Sequence, residues 1–574
     1  MSSSPVRGRR RHRRRSPRRC TSPPGRPASV PMPVLQNRVG VALASLLLAA
    51  GCARDRASRE APPGGTVAQA ETGAPAPAHA APAGAPPQFN CGSQQILELG
   101  PEVPPDFSQV VGQEDANCFA WQQFIALNWP ESGMDGGMAG FGTPGDLEPV
   151  QWQTYMSTGQ LFLPDGGAPP AWGTQARITD ACLAEAGLSV AQARERLPLM
   201  VASKFAENFF PGSANQAFPF DGSPAWLGAP GDTNVWYDVK VNQPEYDYIV
   251  DAGLYNAANQ LALVDSGVPV VLPQGAYQPA PGSVGAIELK SAWMEVPNPS
   301  DARWNTYKLS PAVVVDPSTQ RCRTATVALV GLHIIHATQS QPSIIWATFE
   351  HEANAPDQGT DAGTGAWNFF DAACSPRTLT VPANCAADGK STEVTVGCEP
   401  NVPPPYHIGG GCPGPVPIQV TRLTPIDPMA QRVNQLVQQN IAMHFPDSVW
   451  KHYVLVNVLW STNPSPSPTK PVKAPLPFAA PTPSGSVAIA NTTMETYIQR
   501  TADFGQGPQA SNCIVCHRNA TLAGKTGIAS DFSFVFGLAQ GLPPSQAPSL
   551  KSMRLTPSQK AAVAHPPTMR RIIQ

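Results

Sequence analysis

The most specific chemistry in this 574-residue chain lies near its C-terminal end, in the segment CIVCH at 513–517. Cys513 and Cys516 are three positions apart, and His517 follows the second cysteine directly. This spacing is the attachment signature of a c-type haem, in which two thiols bind the haem vinyl groups and the imidazole ligates the iron. The segment therefore predicts one covalent haem c with His517 as the proximal ligand.

Other sites also use closely spaced cysteines. A structural zinc site needs a second Cys or His pair, but no cysteine follows Cys516 and the next histidine is His565. A thioredoxin-like dithiol needs a strand-to-helix junction of a βαβ unit, whereas a Pro- and Gly-rich linker precedes this motif. A chance match or a simple disulfide remains open beside the favoured haem site.

The sixth coordination position of such a haem decides between two kinds of chemistry. Two axial ligands are typical of electron transfer, while an open position indicates reaction with a small molecule. Met553, in SLKSMRLTP, is the best-placed candidate for a sixth ligand. Alternatively, it packs on the rest of the protein as an ordinary apolar side chain. Phe532, Phe534 and Phe536 either surround the porphyrin or form ordinary core.

A second group of polar residues lies far upstream of the motif. His333 and His336 belong to GLHIIHAT, a predicted strand, where their side chains point to opposite faces and do not form a ready-made metal pair. If the segment were helical instead, they could form one. Glu350 and His351 follow on the next predicted strand and are candidates for acid–base catalysis.

Two further charged side chains that are suited to acid–base chemistry, Glu288 and Lys290, occur in GAIELK. The favoured interpretation of all these residues is structural, as polar groups with satisfied hydrogen bonds near strand ends.

The N-terminal segment predicts export. The first 51 residues contain 11 Arg and no Asp or Glu, a composition that also suits a nucleic-acid-binding arm. From Met32, however, the chain has a positive residue, an apolar run over 39–50 and small residues before Cys52, as in a secretory signal. The run is too short for an ordinary transmembrane helix. We therefore expect Met32 to be the true start and no nucleic acid to be bound.

The ending LLAAGC resembles the lipobox of bacterial lipoproteins and implies a lipidated Cys52. Ala53 follows, which by the same resemblance favours the periplasmic face of the outer membrane, with the lipid as the only membrane contact. An uncleaved anchor, a plain signal peptide that leaves a soluble periplasmic protein, and twin-arginine export are the alternatives.

Eight further cysteines suit an exported protein and predict disulfides. Sequence does not determine their connectivity, but short loops favour Cys374–Cys385 and Cys398–Cys412. Without the leader, the net charge of −2 becomes about −13, which favours basic partners.

Four parts of the chain follow from composition and periodicity. They are a leader and signal at 1–52, a disordered Ala/Pro/Gly tether at 53–88, a body at 89–425 and a helical C-terminal region at 426–574. Alternation of apolar and β-branched residues predicts strands at 232–242, 285–296, 306–315, 324–338 and 343–353. Helical patterns occupy 116–130, 191–205, the first part of 245–263, 427–445 and, through a capping box of Thr492 and Glu495, 491–501. The segment 448–462 is a strand or a second helix.

This pattern predicts an α+β fold. A mostly antiparallel sheet forms the body, with flanking helices, long irregular loops and a small helical haem region packed on it.

The chain resembles a group of bacterial periplasmic "cytochrome c family" proteins that have a large N-terminal body and one C-terminal haem motif. The resemblance rests on CFAWQQFIALNWP, EYDYIVDAGLYN, GAIELKSAWMEV, GLHIIHATQSQPSIIWATFEHEAN and CIVCH followed by DFSFVF. It implies a haem protein whose body belongs to the same functional unit, but no particular reaction. Only 57 residues follow His517, too few for a complete class I cytochrome fold.

The sequence thus leads to three functional hypotheses. The first is a lipid-anchored electron-transfer cytochrome with a redox partner protein. The second is a haem-dependent oxidoreductase whose substrate site, or open iron, lies with the 285–352 strands. The third is a ligand-binding or redox-sensing haem protein. The sequence does not decide whether the protein is an enzyme.

Overall fold

The computed structural model describes a large part of the chain downstream of the predicted tether. The described residues are 86–93, 95–107, 112–133, 140–175, 178–199, 226–277, 283–315, 321–360, 362, 365–386, 389–408, 411–478, 489–499, 512–523 and 527–541. The predicted leader and signal peptide with Cys52, the tether up to residue 85, and Met553 lie outside them. Among the described residues, no helix is long and apolar enough to cross a membrane.

The described strands are numbered in chain order. They are β1 (Gln88–Cys91), β2 (Gln95–Glu98), β3 (Met156–Ser157), β4 (Leu197–Leu199), β5 (Gly228–Ala229), β6 (Thr233–Val241), β7 (Ile287–Glu295), β8 (Leu309–Val315), β9 (Cys322–His336), β10 (Ile345–His351), β11 (Arg377–Thr380), β12 (Glu393–Val396) and β13 (Tyr453–Leu459).

The described α-helices are α1 (Gln113–Leu127), α2 (Thr158–Leu161), α3 (Asp180–Ala186), α4 (Val190–Arg194), α5 (Gln243–Asp251), α6 (Ala257–Asp265), α7 (Pro428–His444) and α8 (Asn512–His517). Short 3-10 helices occupy Glu131–Gly133, Gln151–Thr154, Ala302–Thr306, Val449–His452 and Val535–Leu538.

One nine-stranded sheet organises the protein. Its main path runs β13-β10-β9-β7-β6-β3, and β8 pairs with the first half of β9 on the side where β10 pairs with the second half. The described pairings are antiparallel except for β4 with β8. The five predicted strands correspond to β6 through β10, so the mixed α and β architecture with a mostly antiparallel sheet is confirmed.

The sheet crosses the expected boundary between body and C-terminal region at 425/426. β13 pairs with β10 from Trp346↔Leu459 to His351↔Tyr453, so it is an integral strand of the body. The segment 448–462 therefore forms a short 3-10 helix and then a strand. Helix α7 begins where predicted, because Asp427 accepts the Met429 N–H and Pro428 occupies the first turn.

Helices α1 and α7 cover one face of the sheet, which we call the α1 face. Phe124 of α1 stacks on Phe349 of β10 at a centroid distance of 4.3 Å, inside a continuous aromatic core. The Trp121 indole donates to Asn434 of α7, and Asn434 also bonds the backbone of Leu455 in β13. The Asn434 side chain thus ties α7 both to α1 and to β13.

The opposite side, which we call the far face, carries two apolar clusters. One contains Ile335, Trp346, the α5 and α6 residues and the chain around α8. The other contains Tyr237, Met294, Val330 and the loops after β10. The buried segment 489–499 bonds the sheet on this face through Asn491, which donates to the Thr348 hydroxyl and to the Phe349 carbonyl.

Gly331 permits this close approach. A Cβ at position 331 would lie 2.5 Å from Thr493 Oγ1 and 3.1 Å from Asn491 Oδ1. The glycine in the middle of the long strand β9 therefore leaves the space into which the 491–493 turn packs.

The eight cysteines of the body form four disulfides: Cys91–Cys118, Cys182–Cys322, Cys374–Cys398 and Cys385–Cys412. The predicted Cys374–Cys385 and Cys398–Cys412 pairs are wrong, because pairing follows the β11–β12 hairpin rather than loop length. Its register, Arg377↔Val396, brings Cys374 beside Cys398. The Ala386↔Tyr406 bridge brings Cys385 toward Cys412.

Two predicted helices are also corrected. Within 491–499 the chain forms turns, because Thr492 and Glu495 bond the far face rather than each other. Of the helix predicted at 191–205, residues up to 199 are described: there the helix ends at Arg194 and the strand β4 follows.

Candidate functional site

The CxxCH motif lies on helix α8 and packs on the far face. Ile514 is buried in the apolar cluster with Trp346, and Cys513 packs against the same cluster. The chain after β13 bonds the residues that follow the motif. Leu476 N–H donates to Arg518 O at 2.8 Å, and Ala529 N–H donates to Val472 O at 2.8 Å. This connector thus bonds the residue after the motif and forms an antiparallel bridge, Lys473↔Ile528, with the chain that follows it.

Helix α6 supplies a second anchor. The Gln260 side chain is fully buried and donates to the carbonyls of Leu254 and Phe536, while its oxygen accepts the Ala523 N–H. One amide therefore joins α6 to the chain on both sides of the 527–535 segment.

The imidazole of His517 is oriented by a backbone carbonyl. Its Nδ1 lies 2.8 Å from Phe532 O, so Nδ1 carries the proton and Nε2 is the unprotonated ring nitrogen. The ring also packs 4.4 Å from Trp346 and 4.8 Å from Phe534, measured between centroids. A histidine whose Nδ1–H bonds a backbone carbonyl is the usual arrangement of a metal-ligating imidazole.

The carbonyl that holds His517 belongs to a strained turn. Asp531 and Phe532 have φ angles of 53° and 66°, and the Ser533 N–H donates to Ser530 O across them. Two positive φ values at the centre of a β-turn normally require Asn-Gly or Asp-Gly. For non-glycine residues such geometry costs roughly 1–3 kcal/mol each and persists only where surrounding contacts impose it.

The three phenylalanines predicted near the haem divide between two roles. Phe534 is partly exposed and lies beside His517. Phe532 and Phe536 are buried in the apolar cluster, where Phe536 packs edge-on to Tyr248. The side chain of Cys516 and the whole of Met553 lie outside what the structure describes.

Glu350 and His351 do not act as a pair, because consecutive strand residues face opposite sides of β10. The Glu350 carboxylate, on the far face, is fully buried and fully bonded. It forms an ion pair with Arg422 and accepts both the backbone N–H and the hydroxyl of Thr492. Arg422 in turn reaches Asp357 at 3.3 Å. We call these four residues the Glu350 cluster.

His351 lies on the other face, among aromatic rings. Its Nε2 donates to Thr306 O at 3.0 Å, and its Nδ1 accepts the Ala353 N–H at 3.2 Å. It also stacks on Tyr307 at 3.7 Å. Burial lowers the pKa of His351 to about 3, so the ring stays neutral with both nitrogens engaged. This arrangement removes the predicted acid–base pair and supports the structural interpretation.

His333 and His336 face opposite sides of β9, as strand alternation predicts. His336 lies 2.8 Å from the Gln123 amide, and burial lowers its pKa to about 4. His333 Nε2 lies 3.1 Å from Glu495. Although burial raises the pKa of Glu495, the charge and hydrogen bond of His333, with the charge of Lys290, hold that pKa below its usual value.

Two carboxylates on the far face contrast with the Glu350 cluster. Glu288 of β7 is 2% exposed and Asp531 is 3% exposed. Within the described part of the chain, both oxygens of Glu288 and Oδ1 of Asp531 have no hydrogen-bond partner. Asp531 Oδ2 accepts the Leu272 N–H at 2.7 Å. Burial and the neighbouring charge of Glu288 raise the pKa of Asp531 to about 7. We call these two residues the Glu288 pair.

Sequence reasoning missed several residues that shape this site. Trp346, Gln260 and Asp531 come from three distant segments, and only the fold brings them to α8. The charge of Glu288 is evident from the sequence, but nothing in the sequence predicts that this charge acts on Asp531. The one usable signal is Asp531 itself, a carboxylate directly before the aromatic segment that follows the motif.

Among the residues described, no group of three or more His, Cys, Asp or Glu side chains is arranged to hold a metal ion. Comparisons of the chain with protein-family models, with curated proteins and with solved structures found no match.

Proposed function

We propose that this protein is an exported c-type monohaem cytochrome that transfers electrons. Cys513 and Cys516 would attach the haem covalently, and His517 would ligate its iron. When bound, the haem supplies a one-electron couple. The proposal extends to a lipid anchor at Cys52 on the periplasmic side of the outer membrane, a sixth ligand at Met553 and a redox partner protein with a basic surface.

The observation that carries the proposal is the hydrogen bond from His517 Nδ1 to Phe532 O. In a CxxCH motif the histidine must present Nε2, and this bond selects the tautomer that does so. The acceptor sits in a strained turn, which indicates that its position is imposed rather than incidental. The bond would orient a zinc-ligating histidine equally well, but a structural zinc site needs a second Cys or His pair beside the motif.

The surrounding side chains support the same role. Trp346 and Phe534 pack against the imidazole, which is half-buried between them. Ile514 fixes the helix between the two cysteines to the sheet. The segment that carries the motif contacts β10 through Trp346 and α6 through Gln260, so the body would support a haem attached there.

The oxidoreductase hypothesis receives less support. Its candidate residues, Glu350 and His351, are buried on opposite faces and engaged in hydrogen bonds. We therefore favour electron transfer over a substrate site in the 285–352 strands.

Covalent haem is tested by expressing the full chain with its export signal in a host that has haem-ligation machinery. We expect a haem-stained band on a denaturing gel and a c-type pyridine haemochrome spectrum. Cys513→Ala with Cys516→Ala should remove the stain. The matched control, Cys374→Ser with Cys398→Ser, removes two cysteines elsewhere and should retain it. A chain secreted in folded form without covalent haem contradicts the proposal.

The coordination of the iron is tested by absorption spectra with and without carbon monoxide. A reduced low-spin iron that does not bind carbon monoxide is expected if Met553 is the sixth ligand. Met553→Ala should then open the site to carbon monoxide, whereas His351→Ala should not. Binding of carbon monoxide by the unaltered protein would instead favour the open-iron hypothesis.

A further inference from the structure

A cavity of about 680 Å³ lies beside the start of helix α5, and none of the residues that line it belongs to the CxxCH segment. Its wall comes from separate parts of the chain, which include the segment after β2, the 3-10 helix Gln151–Thr154, the irregular chain before α3 and the turn from β6 into α5. The volume falls within the roughly 300–1,000 Å³ typical of small-molecule sites. Val103, Pro105 and Val284 are part of the wall, so the cavity suits a molecule with an apolar part.

The charged residues of this wall are acidic. Glu102 and Asp247 line the cavity, and the described residues that line it include no Lys, Arg or His. Neither carboxylate forms an ion pair with a cation of the described chain. Burial and the negative charge of Asp251 raise the pKa of Asp247. The cavity therefore presents negative charge without a compensating cation, which favours a positively charged ligand.

Two aromatic rings stand on the same wall. Tyr155 and Trp172 line the cavity with their ring centroids 6.2 Å apart, and the half-buried Trp172 also lies 5.4 Å from Tyr246. The face of a Trp or Tyr ring attracts a cation that comes within about 6 Å of its centroid. The aromatic and the acidic residues thus favour the same kind of ligand.

The chain that carries Trp172 is irregular but is bonded on both sides of the indole. The Tyr246 hydroxyl donates to Pro170 O at 2.6 Å, and Gln160 Nε2 donates to Thr174 O at 2.8 Å. The backbone around the indole is therefore held before a ligand arrives, which lowers the entropic cost of binding.

Gln151 supplies an acceptor that is not used within the described chain. It lines the cavity, and its Oε1 is buried with no donor among the described residues. A buried amide oxygen without a donor is unfavourable, so a ligand N–H that bonds it adds to the affinity. This favours a primary ammonium, which has N–H donors, over a quaternary one, which has none.

The start of α5 does not favour an anion instead. Free N–H groups at a helix N-terminus are what bind anions. Here Pro244 has no N–H, and the N–H groups of Glu245 and Tyr246 donate to the side-chain and backbone oxygens of Asn242. The first turn therefore has few N–H groups left for an anion, and it carries an acidic residue.

We propose that this cavity binds a small organic cation that has a primary ammonium group and an apolar body. Glu102 and Asp247 balance the charge of the ammonium, and Gln151 accepts one of its N–H groups. The rings of Tyr155 and Trp172 attract the cation and cover the apolar body. Binding forms and breaks no covalent bond. The site lies outside the proposed haem site and does not depend on it.

The test is isothermal titration calorimetry of the full exported chain with benzylamine at neutral pH, where the amine is protonated. We expect a dissociation constant at or below about 1 mM. Benzyl alcohol keeps the ring and a hydrogen-bond donor but lacks the charge, and it should bind at least about fivefold more weakly. Benzyltrimethylammonium keeps the charge but has no N–H for Gln151, and it should also bind more weakly than benzylamine.

Neutral variants locate the site. Glu102→Gln and Asp247→Asn should each weaken the binding of benzylamine about two- to fivefold, because each removes one solvent-exposed carboxylate. Trp172→Leu should weaken it by a similar factor, about two- to fivefold, through the loss of the cation–π contact. The matched control Asp265→Asn removes an exposed carboxylate at the end of α6, outside the cavity, and should leave binding unchanged. Far-UV circular dichroism checks that each variant is folded.

Three results would overturn the proposal. They are no binding of benzylamine at about 5 mM, equally strong binding of benzyl alcohol, and wild-type affinity in both Glu102→Gln and Asp247→Asn. Equal affinity for benzyltrimethylammonium would overturn the assignment of a primary ammonium, because that cation cannot donate to Gln151.

Discussion

The Glu350 cluster and the Glu288 pair lie on the same face of one sheet, yet their buried carboxylates differ in whether they receive hydrogen bonds. Glu350 is 0% exposed and receives donors from Arg422 and from Thr492 at both oxygens. Glu288 is almost as deeply buried, with no donor among the described residues. Equal burial therefore does not imply an equal role. A bonded carboxylate stabilises one arrangement of the chain, whereas burial of a carboxylate without a donor is destabilising.

The difference follows from what each element brings to the sheet. The 489–499 segment and the loop carrying Arg422 supply donors to β10, because Gly331 lets the turn approach the backbone closely. The turn carrying Asp531 brings a second acid to β7 instead of a base. Four predictions test this contrast, from the largest expected effect to the smallest.

Breaking the Glu350 cluster should have the largest effect on stability. Glu350→Ala leaves the buried Arg422 guanidinium without its main partner, which typically costs about 3–5 kcal/mol. Urea unfolding followed by far-UV circular dichroism measures the loss in free energy of unfolding. Glu350→Leu combined with Arg422→Met should recover much of it, because no buried charge is then unpaired. A loss below about 1 kcal/mol for Glu350→Ala would show that the ion pair is not what holds this region.

The Glu288 pair should instead appear as a dependence of stability on pH. Burial raises the folded-state pKa of Asp531 from 3.8 to about 7, so its contribution is present below pH 4 and is lost as pH rises through 7. The shift corresponds to at most about 4 kcal/mol. Unfolding of the wild type and of Asp531→Asn at pH 4 and pH 8 should show the wild type losing stability relative to the variant. Parallel curves would contradict the raised pKa.

Gly331→Ala tests the approach of the 491–493 turn to the sheet. The added methyl group would lie 2.5 Å from Thr493 Oγ1, so the turn must move and the Thr492 donors move with it. We expect a loss of about 1–3 kcal/mol in the free energy of unfolding, as for other overpacked positions. Gly359→Ala, at a position with open space, controls for the change of residue type, although its positive φ adds local strain of its own.

The outer end of the Glu350 cluster should matter least. Asp357 lies 3.3 Å from Arg422, and its side chain is 35% exposed. Because solvent screens such a pair, Asp357→Asn should change the free energy of unfolding by less than about 1 kcal/mol. The same urea measurement checks this value. A loss as large as that of Glu350→Ala would mean that the exposed and the buried ends of the cluster contribute equally.

The sequence predicted the elements of this fold better than their partners. The strands β6 to β10 and the helix α7 were located because their apolar periodicity and caps are local signals. The helix predicted at 491–501 from the capping-box pattern of Thr492 and Glu495 is wrong for the described residues, because both residues bond the sheet instead. Local propensity lost to tertiary contacts there.

The candidate site was predictable only in its first part. The CxxCH motif is contiguous, so its residues could be named from spacing alone. The ring of Trp346 reaches His517 from a segment more than a hundred residues away. The acceptor for His517 is nearer in sequence, at Phe532, but its position depends on a turn with two positive φ angles. No local pattern records either contact. Glu350 and His351 show that closeness in sequence does not imply closeness in space, because adjacent residues of a strand face opposite sides of the sheet.

The crossed disulfides have a consequence for the order in which the protein matures. Cys374 pairs with Cys398 and Cys385 with Cys412, so each loop contains one end of the other. In a chain oxidised from its N-terminal end as it emerges, Cys374 meets Cys385 before either native partner is available. Thiol–disulfide exchange must then reopen that early bond. We therefore expect the yield of native protein to depend on a disulfide isomerase as well as on an oxidant.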